Sequence, residues 1–234
     1  MWGYYNYSPT KPRDPSAALE KLRKKNPNIQ PVIFESRKSA KSWWAKAWNN
    51  NLESYADYSN RIGRGRSYVR SGAVLDLSIV PGKINAIVQG SRVKPYDIEI
   101  QIDRLSQAKW ETIVGQCSHK IAGLEALVSG QFPPELAELF TKKGGGLFPS
   151  PKEIHFNCSC PDWAFMCKHI AAVLYGIGVR FDNDPTLLFL LRDIDFTGLL
   201  KKSVEEKMNN MLKNAGVITK RVMSDVDTRQ LFGV

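Results

Sequence analysis

A cluster of cysteines with one histidine restricts the fold of this chain more than any other feature of its sequence. The stretch CSCPDWAFMCKH, residues 158–169, contains three of the four cysteines and one of the three histidines. Unrelated cysteines seldom gather at this density, and in a reducing compartment such a cluster is more often a metal site than a set of disulfides. The segment is therefore expected to close around a metal ion.

The spacing of the first two cysteines suits one ion. Residues 153–157, EIHFN, have the form of a short strand that runs into Cys158 and Cys160. Side chains two apart on an extended segment point the same way, so Cys158 and Cys160 can reach the same metal. The PDWAFM segment that follows begins with a proline and an aspartate, which predict a turn that brings the chain back.

The second pair opens an apolar run, IAAVLYGIG, that predicts a helix ending near Gly176 and Gly178. Positions two apart lie about 200° apart around a regular helix, so Cys167 is expected just before the helix or in its irregular first turn, with His169 within it. Three thiolates and one imidazole favour zinc, although these ligands do not exclude iron. Four protein ligands leave no open coordination position, which indicates a structural metal. The predicted ligands are Cys158, Cys160, Cys167 and His169.

Other uses of these residues fit less well. A thioredoxin-like motif needs two cysteines separated by two residues, and a zinc deaminase needs H-x-E with P-C-x-x-C, and neither pattern occurs here. His155 lies three residues before Cys158 and should point to the opposite side of the strand. The fourth cysteine, Cys117, falls on an apolar helical stripe and is expected to be a buried small hydrophobe.

Three segments upstream alternate with a period of two and predict an antiparallel meander. In AVLDLSIV, the side chains of Ala73, Leu75, Leu77 and Ile79 share a face. Pro81-Gly82 predicts a turn into KINAIVQ, and YDIEIQID places four apolar side chains opposite acidic and amide ones. One face of this sheet must be covered, and the helix predicted over residues 106–129 has the apolar stripe to cover it.

Two further helical regions are indicated. Residues 39–55 place three tryptophans at helical spacing, which is more typical of a core stripe than of a base-stacking surface. After the cysteine cluster, one helix is predicted near Asp184-Pro185 and another from Thr197. The fold class is therefore α+β, with a meander packed against helices, a metal-bound segment and C-terminal helices. The predicted divisions are a flexible arm over 1–31, a basic domain over 32–143, the metal-bound segment over 144–182 and C-terminal helices with a tail over 183–234.

The positive charge lies in one part of the chain. Residues 1–75 carry 14 lysines and arginines against five acidic residues, whereas the remaining two thirds are nearly balanced. Such asymmetry favours a polyanionic partner, most simply nucleic acid, although a solvated basic surface would look the same. The segment SNRIGRGRSYVRSG combines arginines with glycines that would let the backbone approach phosphates. The candidate nucleic-acid contacts are Arg61, Arg64, Arg66 and Arg70, with Lys168 of the cysteine cluster and the basic residues Lys21, Arg23, Lys24 and Lys25.

Neither a secretory signal nor an apolar run long enough to cross a bilayer is apparent, so the expected location is the cytoplasm. The sequence also shows no paired carboxylates, no nucleophile with its base and no open metal site. We therefore expect a protein that is not an enzyme and has no small-molecule substrate. A G-x-x-x-x-G-K-[ST] phosphate loop is missing as well, so the chain is not itself an ATPase motor.

The pattern C-x-C, spacer, C-x-H at the head of an apolar helix resembles the SWIM zinc finger, in the form found in bacterial proteins. The resemblance extends to SWWAKAWNNNLESYADYSNRIGRGRSYVRSGAVLDLSI, QGSRVKPYDIEI and GLFPSPKEI, and so covers residues 37–191. It implies a small ββα-type finger with one zinc ion on the four ligands named above. It also implies binding of DNA or of protein, and a SWI/SNF-type helicase ATPase as a partner.

Together these observations predict a zinc-stabilised accessory protein that binds nucleic acid, DNA more than RNA, beside a helicase-like ATPase. The competing hypothesis is a protein-interaction adaptor whose basic region meets an acidic protein surface. Salt dependence separates the two, because phosphate contacts release counterions on binding.

Overall fold

The structure is a computed structural model of the 234-residue chain. It describes residues 11–34, 40–55, 59–118 and 137–195, together with 197–198, 201, 205, 208–209 and 211–213. The chain divides into two compact units, residues 1–196 and 197–234. The described residues of the second unit are helical, but most of the helix predicted from Thr197 lies outside the described residues.

The first unit contains seven described helices and four strands. In chain order they are α1 (Ser16–Lys25), α2 (Trp43–Glu53), α3 (Ser59–Arg70), β1 (Val74–Val80), β2 (Lys83–Val88), β3 (Tyr96–Ile102), α4 (Gln107–Ser118), α5 (Ala137–Thr141), β4 (Ile154–Cys158), α6 (Lys168–Asn183) and α7 (Leu187–Leu191). A short 3₁₀ turn, Pro151–Glu153, leads into β4. Among the described residues, no helix combines the length and apolar character needed to cross a membrane.

The four strands form one antiparallel sheet in the order β1-β2-β3-β4. The predicted meander is confirmed, and the strand that leads into the cysteine cluster is its fourth member. Ile98 pairs with Cys158 and Ile100 pairs with Phe156 across the β3–β4 ladder. The segments 32–143 and 144–182 therefore contribute strands to the same sheet.

The alternation in the sequence determines which face of the sheet is buried. The apolar side chains of β2 and β3 that occur at every second position are all buried, and the residues between them are exposed or partly exposed. The buried set is Ile84, Ala86, Val88, Tyr96, Ile98, Ile100 and Ile102. In β1 the pattern shifts at a bulge between Val74 and Asp76, so that Val74 and Leu75 are both buried.

Helix α6 covers this face of the sheet, and residues 119–129 of the helix predicted to cover it lie outside the described residues. The residues of α6 contact all four strands, and most of its length is buried. A Cβ on Gly176 would lie 2.8 Å from Cδ1 of Leu77, which shows how closely the helix lies on β1. The helix ends at Asn183, one and a half turns beyond the predicted end, because glycines inside a packed helix need not terminate it.

Helix α4 is the described part of the predicted 106–129 helix. Ile113 is buried, and the Trp110 ring lies 6.1 Å from that of Phe189 in α7. Residues 119–136 and the side chain of Cys117 lie outside the described residues.

The tryptophan helix is part of the core, as its spacing predicted. Trp48 of α2 is fully buried, and its Nε1 donates a hydrogen bond of 2.9 Å to the Leu174 carbonyl of α6. Trp44 Nε1 donates to the Phe181 carbonyl at 2.8 Å. Ser42 caps the helix by accepting from the Ala45 backbone N–H at 3.2 Å. Helix α2 is thereby attached along α6.

The segment predicted to contact phosphates through its glycines is the helix α3, packed against α6. A Cβ on Gly65 would lie 2.4 Å from the backbone carbon of Ala171, so only glycine permits this crossing. The close approach that Gly65 permits is therefore made to the protein's own helix.

The N-terminal region differs from the predicted flexible arm, because residues 16–25 form α1. This helix is built from strong helix formers, and Glu20 pairs with Lys24 at 3.2 Å one turn later. No residue of α1 is buried. Its apolar residues Ala18, Leu19 and Leu22 share one face but are only half-buried, so this short stripe did not mark a core helix in the sequence.

Candidate metal centre and the adjoining groove

The four predicted ligands come together where β4 ends and α6 begins. Cys158 is the last residue of β4, Cys160 lies in the turn that follows, and His169 is in the first turn of α6. Cys167 is the N-cap of α6, and its Sγ accepts a hydrogen bond from the Ile170 backbone N–H at 3.5 Å. Cys167 therefore lies just before the helix, which is one of the two positions expected for it.

The distances in this cluster suit a tetrahedral ion. The ligand atoms of the four residues all lie within 4.8 Å of one another, and Sγ of Cys167 is 3.7 Å from Nδ1 of His169. Bonds of about 2.3 Å to sulfur and about 2.0 to 2.1 Å to nitrogen place tetrahedral ligand atoms roughly 3.5 to 3.8 Å apart. Small side-chain movements therefore suffice to complete a Cys₃His shell.

Hydrogen bonds within the cluster distinguish the three thiols. The bond to the Cys158 thiol lowers the pKa of Cys167 to about 4, with further lowering from His169 and the Ile170 N–H, although burial opposes this. The same thiol–thiol bond raises the pKa of Cys158, and burial raises that of Cys160. Zinc binding must therefore displace protons from Cys158 and Cys160, whereas the same hydrogen bonds favour the thiolate form of Cys167.

Aromatic rings hold the imidazole of His169 in place. Its ring centroid lies 4.6 Å from that of Tyr96 and 5.4 Å from that of Tyr68, and the side chain is 4% exposed. A Cβ on Gly90 would lie 3.0 Å from Nε2 of His169 and 2.3 Å from the Tyr96 ring. Glycine at position 90 thus leaves space for the two rings, which pack with their planes tilted by 45°, and Nδ1 of His169 faces Cys167.

The turn between the cysteine pairs is attached to α3. The Asp162 carboxylate accepts a hydrogen bond from Nη1 of Arg61 at 3.2 Å and another from the Ala164 backbone N–H at 3.2 Å. Ser159 bonds to Asp97 of β3 through both its backbone and its side chain. The knuckle, residues 159–166, is therefore held by contacts on both sides as well as by the two cysteine pairs.

A groove of about 870 Å³ opens at the cluster, and Cys160 and His169 are among the residues that line it. Its walls come from α3, from the loop between β2 and β3, and from the knuckle, while α6 and β3 provide its floor. Four of its lining side chains are cationic and one is a carboxylate. The cations are Arg61, Arg64, Arg92 and Lys168, and the carboxylate is Asp162.

The structure separates the predicted nucleic-acid contacts into two groups. Arg61, Arg64 and Lys168 line the groove. Arg66 instead forms an ion pair with Glu53 and donates to the Tyr175 hydroxyl at 3.1 Å. The Arg70 guanidinium lies 5.9 Å from the Phe34 ring centroid. Each residue of a helix is rotated by about 100° from the one before it. Positions 61 and 64 of α3 therefore lie on one face, and positions 66 and 70 lie on the opposite face.

The groove residues that the sequence did not single out include Arg92, Tyr96 and Trp163. Arg92 lies in the loop between β2 and β3, Tyr96 begins β3, and Trp163 is at the tip of the knuckle with its side chain 100% exposed. The basic SRVKP loop was a weak signal for Arg92. No local pattern marks Trp163, because exposure is a property of the fold.

His155 behaves as the strand alternation predicted. Its Nε2 lies 2.9 Å from Oδ1 of Asp103, and its side chain is more than half exposed. It is not part of the four-residue cluster.

Comparisons with known proteins agree with this geometry. The SWIM zinc finger family profile matches residues 156–176. The chain is also 36% identical over 162 residues to the uncharacterized protein Rv2102 of Mycobacterium tuberculosis, strain H37Rv. That match covers 69% of this chain and 58% of the relative, which is less than two thirds of the relative's length. No solved structure matches the chain.

The profile match begins two residues before Cys158 and ends within α6, so it includes all four ligands. The clustered donor set, the strand-knuckle-helix geometry and the matched profile agree on one assignment. Residues 156–176 are a SWIM zinc finger, and this chain carries a zinc ion at Cys158, Cys160, Cys167 and His169.

Proposed function

We propose that this protein is a non-enzymatic nucleic-acid-binding accessory protein whose zinc ion holds the binding groove together. The observation that carries the proposal is the placement of four cationic side chains against one carboxylate in the groove beside the finger. A phosphate backbone is the ligand that such a groove attracts, because each neutralised phosphate releases counterions. The net charge of +10 for the chain supports long-range attraction of the same kind.

The zinc ion has a structural role in this proposal. When bound, it joins the end of β4 to the start of α6 and thereby holds the knuckle that forms one groove wall. Three thiolates and one neutral imidazole around Zn²⁺ leave the centre at −1, so the finger alone does not attract phosphate. Lys168, 7% exposed at the groove floor with Nζ 5.2 Å from the Tyr68 ring centroid, adds a cation that offsets this charge.

Titration of duplex DNA at rising salt concentration tests the proposal. The variant that changes Arg61 and Arg64 together to alanine should lower affinity for all sequences about equally. It should also reduce the slope of log affinity against log salt by roughly 2, about one unit for each lost phosphate contact. Arg61 also forms an ion pair with Asp162 of the knuckle, so zinc content and thermal melting are measured on the same variant. Values near those of the wild type show that the lost affinity comes from lost charge and not from a disrupted finger.

A matched control removes the same charge elsewhere. The variant that changes Arg70 and Arg104 to alanine alters residues that do not line the groove, and it should leave the salt slope close to wild type. An equal loss in both variants would mean that binding follows the overall charge and is not located in the groove. Absence of DNA binding by the wild type at low salt would favour the protein-interaction adaptor.

The proposed partner is a helicase-like ATPase of the SWI/SNF type, and DNA is the proposed nucleic acid. The support is the resemblance of residues 37–191 to bacterial SWIM proteins. Isolation of the native protein from its own cells, followed by identification of copurifying proteins and nucleic acid, tests both points.

A further inference from the structure

The knuckle carries a side chain that the metal site does not use. Trp163 is 100% exposed, although tryptophan is a large apolar residue, and it lines the cationic groove. Its neighbour Phe165 is 69% exposed and packs edge-on to Phe156, with ring centroids 5.4 Å apart. Two large aromatic side chains exposed on one short turn form apolar surface of the kind that contacts a ligand.

The turn that presents Trp163 is restrained at both ends. Asp162, the preceding residue, accepts from Arg61 and from the Ala164 backbone N–H. Zinc ligands lie three residues before the tryptophan, at Cys160, and four residues after it, at Cys167. An aromatic ring on a preorganised turn loses little conformational entropy when a flat ligand stacks on it.

We infer that the groove accommodates single-stranded nucleic acid, with phosphates on Arg61, Arg64 and Arg92 and an unpaired base stacked on Trp163. This inference rests on the proposed function and specifies its ligand. A duplex hides the faces of its bases within the stack, whereas a single strand offers them to an aromatic side chain. The combination of a cationic track with an exposed ring is the arrangement that recognises single strands without strong sequence preference.

Fluorescence anisotropy with a labelled mixed-sequence DNA single strand, and with the duplex made from it, tests the inference on the zinc-loaded full chain. The wild type should bind the single strand more tightly than the duplex. Trp163→Ala should weaken binding of the single strand roughly 5- to 160-fold, the range for loss of one base–aromatic stack, and leave its salt slope unchanged.

Two further variants sharpen the test. Trp163→Phe keeps an aromatic ring and should restore most of the affinity. Ile33→Ala changes another exposed apolar residue that does not line the groove, and it should bind as the wild type does. Because Trp163 is fully exposed, its replacement should leave zinc content and melting temperature unaltered.

The two proposals fail in different ways. If the wild type binds DNA but Trp163→Ala weakens neither form, or weakens both forms equally, the stacking inference is overturned and the proposed function stands. If the wild type binds neither the single strand nor the duplex at low salt, the proposed function itself is overturned, and Trp163 becomes a contact for protein.

Discussion

Cys167 has two roles at one position. Its Sγ accepts the Ile170 backbone N–H and so caps α6, and the same atom is a predicted zinc ligand. A helix N-terminus favours negative charge, so the site at which the thiolate is needed also stabilises it. Serine is among the best N-cap residues but is a poor zinc ligand, which allows the two roles to be separated.

We predict that Cys167→Ser loses stoichiometric zinc and lowers the melting temperature by at least about 10 °C, because loss of a ligand costs several kcal/mol of metal-coupled folding energy. Elemental analysis and thermal melting measure both effects. His155→Ala is the control, since this histidine is exposed and lies outside the cluster. If Cys167→Ser keeps one zinc ion and full stability, Cys167 is a helix cap only and not a zinc ligand.

At the scale of elements, the crossing of α3 and α6 controls the groove. Gly65 lets α3 lie against the backbone of α6, and this contact sets the position of Arg61 and Arg64 relative to the knuckle. Gly63 lies on the same helix but faces open space, because a Cβ there would meet nothing within 4 Å. The two glycines thus provide a matched pair.

We predict that Gly65→Ala destabilises the protein by about 2 to 3 kcal/mol, since overpacking a close contact forces the helices apart. Gly63→Ala should be neutral or stabilise by up to about 1 kcal/mol, because alanine is the better helix former. Denaturant unfolding of both variants measures the difference. Similar stabilities would mean that the α3–α6 crossing adapts to an added methyl group.

At the scale of the whole molecule, the zinc finger is not an appendage. Its strand is the edge of the four-stranded sheet, and its helix α6 covers that sheet and packs on α2 and α3. Near the entry to β4, Arg192 is 1% exposed and donates to Glu153 at 2.7 Å. The stability of the metal site and that of the core are therefore coupled.

Removal of zinc with EDTA should unfold the first unit in one cooperative transition, with loss of tertiary signal from the sheet as well as from the finger. Near-ultraviolet circular dichroism measures this loss of tertiary structure, because Trp48 of α2 is buried against α6. Readdition of zinc to the reduced protein should restore the spectrum. A change confined to the finger, with the signal of Trp48 intact, would show that the sheet folds without the metal.

The sequence by itself determined the metal ligands, the meander and the core position of the tryptophan helix. These features depend on local spacing, because a C-x-C pair, a period of two and a period of 3.6 each specify where neighbouring side chains point. Only the tertiary structure decided that α6 covers the sheet, since the predicted 106–129 helix also has an apolar stripe and the choice between them depends on non-local packing. The groove, too, was decided only by the tertiary structure. Arg64, Arg92 and Trp163 come from three separate elements, and no local pattern can bring them together.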